Sequence, residues 1–137
     1  MTVRQLRLVV HAEDYDQAVA FFRDALGMPV AEQYSSEGGA EVMILDAGRA
    51  TLELSNPAQI ELIDRVEVGR RVTPHFRVAL QVDDCAVATE RAIAGGATPA
   101  APPTRTPWNS LNARLDAPAG VHLTLFEEAA ADTETPD

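Results

Sequence analysis

The sequence contains no lysine, because all eleven of its basic residues are arginine. This absence excludes Schiff-base chemistry, lysine general bases and the phosphate-binding lysine of a P-loop. Any side-chain cation with a function here is therefore a permanently charged guanidinium. A compositional bias of the genome would also produce a lysine-free, alanine-rich chain, and the chemical exclusion holds in either case.

Cysteine and long apolar runs are equally scarce. The one cysteine, Cys85, has no partner for an internal disulfide, and no cysteine pair is present to hold a zinc ion. No apolar run approaches the roughly 20 residues of a membrane span, and the N-terminal residues lack the apolar segment of a signal peptide. We therefore expect a cytoplasmic protein without a membrane partner.

Acidic residues outnumber basic residues by 21 to 11, which gives a formal net charge of -10. A surface with this charge repels phosphate backbones, so we expect no nucleic-acid partner. At 137 residues and 46% hydrophobic content, the chain has the length of one domain and enough apolar material for a buried core.

The first half of the chain has the pattern of a βαβββ unit. An alternating apolar segment at 5–12 predicts a strand, and Asp14 predicts the cap of a helix with apolar residues at helical spacing. Gln17 completes a capping box, and Gly27 ends the helix. Three further strands are predicted after it, at 30–34, 41–47 and 49–55.

The second half repeats this pattern at a shift of 70 residues. The shift aligns Asp14 with Asp84, and it superimposes similar segments on either side of them: 7–10 on 77–80 and 45–47 on 115–117. Asp84 predicts the cap of a helix that ends at Gly95. A strand and loop at 98–108 with several prolines follow, and then strands at 110–116 and 121–127.

The repeat predicts one domain with two modules. We expect the first module at 4–56, a linker at 57–73, the second module at 74–128 and a disordered acidic tail at 129–137. Apolar residues at 60, 63 and 66 leave two interpretations of the linker open, a short helix and an extended segment.

Over about residues 4–128 the chain resembles the glyoxalase, bleomycin-resistance and extradiol-dioxygenase proteins, the vicinal oxygen chelate superfamily. The resemblance rests on the order of four segments: the helix end at 21–28, the strand at 51–54, the segment from 77 to 84 and residues 119–123. It implies an α+β fold in which tandem βαβββ modules form a curved mixed sheet. The resulting cup holds a divalent metal or a small molecule in the family.

In metal-dependent members one ligand lies on each of four strands, usually His or Gln, Glu, His and Glu. The resemblance places these positions at Arg7, Glu53, Arg77 and Thr124. Only Glu53 matches, and arginine has no lone pair to donate, so we expect no metal and no cofactor. A displaced site of Glu53 with His75 and His122 stays open. The alternative for these histidines and His11 is that they are partly exposed residues near strand ends without a special role.

Strand alternation predicts that Arg7, Glu53 and Arg77 point into the cup, with both guanidiniums in hydrogen-bonding reach of the carboxylate. Residues of the opposite parity are expected to pack under helices: Leu8, Val10, Leu52, Leu54, Val78 and Leu80. Such a cluster would hold a carboxylate, an enolate or a phosphate. The alternative is a closed ion-pair network that only fills the cup.

We therefore expect a metal-free member of this family that binds a small anionic or aromatic molecule, for sequestration or for simple proton transfer. Glu53 is the candidate catalytic residue, and the candidate ligand-binding residues are Arg7, Arg77, Thr124 and Trp108. Trp108 could close over a planar ligand or pack in the core or an interface. An enzyme of this type would be a lyase or isomerase.

Two other functions stay open at this point. One is a metal-dependent lyase, isomerase or dioxygenase of the glyoxalase type. The other is a module without a small ligand, whose cup is filled by side chains and whose role is association. In each case we expect a homodimer, because the resemblance implies paired modules and each half-cup leaves a concave sheet to be covered.

Overall fold

The computed structural model describes residue 5, residues 7–50, residue 53 and residues 55–129. Within these residues the helices are α1 (Tyr15–Val19), α2 (Pro57–Glu67) and α3 (Cys85–Ala94). The strands are β1 (Val30–Ser35), β2 (Glu41–Leu45), β3 (Val78–Gln81), β4 (Thr98–Arg105), β5 (Ser110–Ala117) and β6 (Val121–Glu128). The α+β fold class is confirmed. No helix in this part of the chain is long and apolar enough to cross a membrane.

The second half forms a four-stranded mixed sheet in the order β3-β6-β5-β4. β3 runs parallel to β6, where Val78 lies opposite Leu123, and the other two pairs are antiparallel. A parallel pair needs a long crossover connection, which here contains α3, β4 and β5. The element order and the positions of these strands agree with the βαβββ pattern predicted for this half.

One face of this sheet packs against helices and forms the core. The side chains of Leu115, Leu123 and Leu125 are fully buried there, together with Phe21 from the first half. Val78 and Leu80 pack against the same cluster, as strand alternation predicts. The residues between them must therefore point to the opposite face of the sheet.

Both predicted helix caps are confirmed. The Asp14 Oδ1 atom accepts a hydrogen bond from the Gln17 backbone N–H at 3.0 Å, and Asp84 Oδ1 accepts one from Val87 N–H at 3.1 Å. These bonds satisfy backbone donors that the first turn of each helix leaves free. After α1 the chain continues as a π-helical segment, Ala20–Ala25, and it leaves this segment at Gly27 with φ +70°.

The two halves meet where this π-helical segment crosses the end of α3. A Cβ atom at Gly95 would lie 2.7 Å from the Cβ of Ala25 and 3.4 Å from Cδ1 of Phe21. The first of these distances is shorter than any real carbon contact, so the close approach requires a residue without a side chain. Gly95 therefore ends α3, and its lack of a side chain allows Ala25 and Phe21 of the first half to pack against the core.

The segment between the halves is a helix, which decides between the two interpretations of the linker. Asn56 caps α2 by accepting a hydrogen bond from the Gln59 backbone N–H at 2.9 Å, and Pro57 occupies the first turn. The buried residues of α2 are Asp64 and Glu67, not its apolar side chains. A charged helix face therefore covers the sheet.

The strand predicted at 5–12 is wrong for the described residues, which form no strand at 5 and 7–12. The predicted packing of Leu8 and Val10 is also wrong, since these side chains are 57% and 40% exposed. In the second half β3 is held by β6, and the repeat equivalent of β6 is the segment predicted at 49–55. Residues 51, 52 and 54 of that segment lie outside the described residues, as does the tail from 130 to 137.

Candidate functional site

The face of the four-stranded sheet opposite the core is polar. On β5 and β6 its residues alternate with the buried apolar ones, and Arg77 precedes β3 on the same side. We call this surface the polar face and define it by five residues: Arg77, Asn112, Arg114, His122 and Thr124. α2 packs across it.

Arg114, at the centre of β5, is fully buried under α2. Its Nε donates to Glu67 Oε1 at 2.8 Å, and its Nη1 donates to Asp64 Oδ1 at 2.9 Å. Both carboxylates are almost completely shielded from solvent. Removing one partner of such a buried ion pair leaves an uncompensated charge in the interior, which is strongly destabilising. These ion pairs therefore fix α2 to the sheet.

Asp64 also organises the loop that follows α2. Its Oδ2 accepts hydrogen bonds from the backbone N–H groups of Val72 and Thr73, both at 2.8 Å, and its Oδ1 accepts one from the Thr73 hydroxyl at 2.5 Å. Burial raises the pKa of Asp64, but the bonds from Thr73, Val72 and Arg114 outweigh it and hold that pKa well below its usual range. Asp64 is therefore an anion at neutral pH.

His122 is buried within the same network, so the interpretation of all three histidines as partly exposed residues is wrong for this one. Its Nε2 accepts a hydrogen bond from Arg114 Nη1 at 3.3 Å, and its Nδ1–H donates to Asp116 Oδ1 at 3.0 Å. We assign this neutral tautomer from the network, because a guanidinium can only donate. Asn112 completes the network by donating to Glu67 Oε2 at 2.7 Å.

Two of the predicted site residues meet on the polar face. Arg77 Nη1 donates to the Thr124 hydroxyl at 2.7 Å, and Thr124 is almost completely buried. Burial lowers the pKa of Arg77 and the nearby Arg114 lowers it further, while the carboxylates of Glu67, Glu53 and Asp64 act in the opposite direction. Arg77 is therefore a partly desolvated cation beside a second cation.

The expected cluster of Arg7, Glu53 and Arg77 is not formed. The Arg7 guanidinium is exposed and donates to Glu32 on β1, at 3.4 Å, while Glu53 is exposed and accepts from the Ser55 hydroxyl at 3.3 Å. Among the described residues neither arginine forms an ion pair with Glu53. The prediction fails because Arg7 lies in a segment that is not part of a sheet, so strand alternation does not orient it.

Trp108 lies in the turn between β4 and β5 and is 49% exposed. β5 begins at Ser110, four residues before Arg114, so the turn lies at least about 13 Å from Arg114 at the rise of a strand. This position excludes core packing within the chain and separates Trp108 from Arg77. Its role at a ligand or an interface stays a prediction.

Comparison with known proteins places this geometry in a family. The profile of the Glyoxalase/Bleomycin resistance protein/Dioxygenase superfamily matches residues 4–125. The chain belongs to this superfamily. No curated protein sequence gives a significant match.

Several solved structures share this fold at low sequence identity. A glyoxalase-related enzyme from Fulvimarina pelagi is 16% identical with a TM-score of 0.56, and the match covers 92% of this chain and 89% of that one. A superfamily member from Sphaerobacter thermophilus is 20% identical with a TM-score of 0.53, covering 88% and 92%. TioX from Micromonospora is 18% identical with a TM-score of 0.51, covering 93% and 100%. At this identity the likeness concerns the fold alone.

The residues at the four superfamily metal positions do not fit a divalent cation. Arg77 and Thr124 bond to each other, and a guanidinium offers hydrogen-bond donors where a metal needs a lone pair. The displaced alternative is not assembled either, because both ring nitrogens of His122 have partners and His75 is exposed beside Phe76. The described residues contain no group of three His, Cys, Asp or Glu side chains arranged to hold a metal.

Two cavities open near the N-terminal segment. The larger, about 700 Å³, is lined by residues 12–16, 39 and 41, and its four carboxylates repel an anion. The smaller, about 170 Å³, touches the polar face at His122 and is otherwise bordered mainly by apolar residues, including Phe76 and Val78. Phe76 and Val78 flank Arg77 in the sequence, but strand alternation directs them to the opposite face of the sheet, so Arg77 does not line this cavity.

Cys85 is fully buried and unsuited to nucleophilic chemistry. Its Sγ faces the Leu125 carbonyl oxygen at 3.4 Å, and burial raises the pKa of the thiol.

The sequence analysis missed the residues that dominate the polar face, namely Asp64, Glu67 and Arg114. Two signals were available. Asp64 and Glu67 are three residues apart, so a helix places them on one face. Arg114 is a charged residue at the centre of an alternating strand, and the 70-residue repeat aligns it with the apolar Ile44 of the first half. A charged residue in the middle of a strand indicates a partner from another element.

Proposed function

We propose that the protein binds a small organic anion at the polar face without a metal or cofactor, and that it sequesters this molecule. One observation carries the proposal. Among the described arginines, Arg77 is the one that is partly buried and has no carboxylate partner, and its buried Nε–H has no acceptor. Because the side chain is only partly buried, an anionic ligand can reach the guanidinium from solvent and supply the counter-charge that no carboxylate pairs with it to provide.

Thr124 supports the same site. Its hydroxyl oxygen already accepts from Arg77, which leaves the O–H free to donate to a ligand oxygen. The hydrogen bond also holds the guanidinium at a fixed place on the sheet. Thr124 is therefore proposed to orient Arg77 and to contact the anion.

We propose a carboxylate as the ligand group at Arg77, because a guanidinium pairs with a carboxylate through parallel N–H···O bonds. Binding through Arg7 and proton transfer by Glu53 stay predictions, since no contact of these exposed residues adds to them.

A screen of thermal stability tests this proposal. Ligands that bind only the native state raise its melting temperature, so benzoate and related carboxylates should stabilise the protein in a metal-free buffer. Phosphates, aromatic antibiotics and divalent metals complete the panel. Stabilisation by a metal alone, or by no anion in the panel, would contradict the proposal.

Calorimetry with matched variants locates the site. Arg77→Gln should weaken benzoate binding at least about tenfold, because a charge-assisted hydrogen bond contributes about 1.5–3 kcal/mol. Arg91→Gln removes the same charge from an exposed position on α3, behind the core, and should leave the affinity unchanged. Equal benzoate affinities of the two variants would show that Arg77 is not part of the binding site.

The Arg114 network favours a second candidate function. Because Asp64 and Glu67 already fill part of the polar face, the protein could serve association alone, without a small ligand. The same screen separates the two functions. A binding protein responds to carboxylates, whereas an association module responds to none of the panel.

We also propose that the chain forms a homodimer. All six residues of β1 are exposed, and a two-stranded hairpin is only marginally stable by itself in water. Exposed apolar side chains accompany it, including Val9 at 89% and Phe76 at 72%. Light scattering at micromolar concentration should give twice the mass of the chain, and the mass of a single chain would contradict the dimer.

A further inference from the structure

The loop between α2 and β3 is basic, although the chain as a whole is strongly acidic. Residues 68–77 contain three arginines and no carboxylate, whereas the net charge of the chain is -10. Arg71 donates to Asp64 Oδ2 at 3.2 Å and to the Thr73 carbonyl oxygen, which gives the loop a fixed shape. Arg70 beside it is exposed and forms no ion pair with any described residue. The loop therefore presents an unpaired cation to solvent.

The cavity of about 700 Å³ carries the opposite charge. Its wall contains four carboxylates and one aromatic side chain: Glu13, Asp14, Asp16, Glu41 and Tyr15. Asp14 caps α1, whereas the other three carboxylates are exposed and form no ion pair within the described part of the chain. A cation relieves the repulsion between like charges held this close, and an aromatic wall favours a guanidinium. The charge of the cavity is therefore complementary to that of the loop.

Exposed apolar side chains connect the loop to this cavity. Leu8, Val9 and Phe76 border the smaller cavity together, and each of them is more than half exposed. Phe76 belongs to the basic loop, and the chain runs from Val9 into the acidic wall, which begins at Ala12. We call this surface the docking face and define it as residues 8–9, 12–16, 39, 41 and 70–76. An apolar centre inside a charged rim is the usual composition of a protein–protein interface.

The charges of the docking face fit a second copy of the same chain. Two copies with a net charge of -10 repel each other, so their association requires a surface on which opposite charges meet. In a twofold interface one surface meets itself, and every contact occurs twice. When the apolar centre packs on its copy, each basic loop faces the acidic cavity of the partner subunit. Residues 39 and 41 of that cavity belong to the β1–β2 hairpin, so the partner also covers this marginally stable element.

We propose that the docking face is the interface of a homodimer in which the basic loop of each subunit occupies the acidic cavity of the other. The proposal rests on the homodimer inferred above and adds to it the two surfaces that meet and the twofold symmetry of their contacts. Arg70 supplies the unpaired cation, and the exposed carboxylates at 13, 16 and 41 receive it. Phe76 packs at the apolar centre.

Charge reversal on each surface tests the proposal, with the dissociation constant of the dimer measured by analytical ultracentrifugation. Arg70→Glu should weaken the dimer at least about tenfold, because the new carboxylate meets the acidic cavity at both symmetric contacts. Glu13→Arg should weaken it by a similar factor, because the new cation meets the basic loop. An equimolar mixture of the two variants should dimerise again, since both contacts of the mixed dimer join opposite charges.

Two control variants and the wild type separate the possible outcomes. Arg91→Glu and Glu90→Arg change the net charge by the same amounts at exposed positions of α3, and they should leave the dissociation constant unchanged. Equal dimerisation of all four variants overturns the docking face and leaves the homodimer standing. A mixture that stays as monomeric as its two components also overturns it. A monomeric wild type overturns both, whereas benzoate calorimetry alone decides whether the protein binds an anion.

A substitution at the apolar centre gives a second readout that does not involve charge. Val9 is 89% exposed in the single chain, so Val9→Ser removes no contact of the core and should leave the unfolding of the monomer unchanged. It should weaken the dimer about tenfold, because the lost apolar burial occurs twice in a twofold interface. Val87→Ser on α3, where the side chain is 49% exposed, is the matched control. Equal effects of the two substitutions on the dissociation constant contradict the docking face.

Discussion

The two halves of the chain share a sequence pattern but differ in how they bury it. In the second half β5 and β6 lie between α3 and α2, and most of their residues are shielded from solvent. In the first half all of β1 is exposed and β2 is at most half-buried. Phe21 is the one residue of the first half in the buried cluster of the described residues. A repeat in sequence therefore does not imply equal burial, because burial depends on what each sheet packs against.

The same difference explains where the candidate site lies. Charged side chains on the second sheet are covered by α2, so their hydrogen bonds are fixed and unpaired donors are costly. In the first half Arg7 and Glu53 are exposed, so solvent reaches them and an unpaired donor or acceptor costs little there. Ion pairs of this exposed kind contribute about 0–1 kcal/mol. The desolvated guanidiniums of the candidate site are therefore in the second half.

The largest expected change in the free energy of unfolding comes from comparing a substitution in each of the two sheets. Leu123→Ala removes a fully buried side chain and should lower the free energy of unfolding by about 2–5 kcal/mol. Val42→Ala on β2, where the side chain is 46% exposed, should change it by less than about 0.5 kcal/mol. Urea unfolding measures both. Comparable losses would show that the first sheet is covered in solution, for example by a second chain.

The next effect concerns the fixation of α2. Asp64→Asn should cost about 3 kcal/mol at neutral pH, because Arg114 loses a buried partner. The pKa of Asp64 in the folded state lies below its usual value of 3.8. Its contribution is therefore fully present above the unfolded pKa and is lost as pH falls toward the folded pKa. The gap between wild type and variant should be constant above about pH 5 and shrink below pH 4.

Glu61→Gln is the matched control for this change, since Glu61 is an exposed carboxylate on the same helix. It should alter the free energy of unfolding by less than about 0.5 kcal/mol. A gap for Asp64→Asn that widens on acidification would mean that Asp64 does not bind Arg114 as a carboxylate.

The smallest expected change in the free energy of unfolding comes from removing the equivalent helix caps of the two halves. Asp84→Ala removes the cap of the ten-residue α3 and should cost about 1 kcal/mol. Asp14→Ala removes the cap of the five-residue α1 and should cost less, because fewer buried contacts depend on that helix. A larger loss for Asp14→Ala in thermal unfolding would assign the first half a greater share of the stability than its burial indicates.

Local signals in the sequence predicted the elements of the second half well. Asp84, Gly95 and the pattern at 110–116 each act through neighbouring backbone, so the helix cap and the strand follow from short-range chemistry. The segment at 5–12 alternates equally well, but its described residues, 5 and 7–12, form no strand. A strand needs a hydrogen-bonding partner, and no local pattern supplies one.

The site was predicted only in part, for a related reason. The family resemblance placed Arg77 and Thr124 at one site, and in the structure the Arg77 guanidinium donates to the Thr124 hydroxyl on the same face of the sheet. Arg114 was missed because its partners come from α2, which lies 47 and 50 residues away along the chain. Contacts between elements at this separation depend on how the helix docks, which composition and periodicity do not encode.

The most direct measurement of the central claim is a titration of ¹⁵N-labelled protein with benzoate, observed at the Nε–H groups of the arginines. The account predicts that the Arg77 resonance shifts and saturates with the affinity found by calorimetry. Arg23, which is exposed and already paired with Asp24, should stay unchanged. Saturable benzoate binding that leaves Arg77 unmoved would contradict an anion site on the polar face.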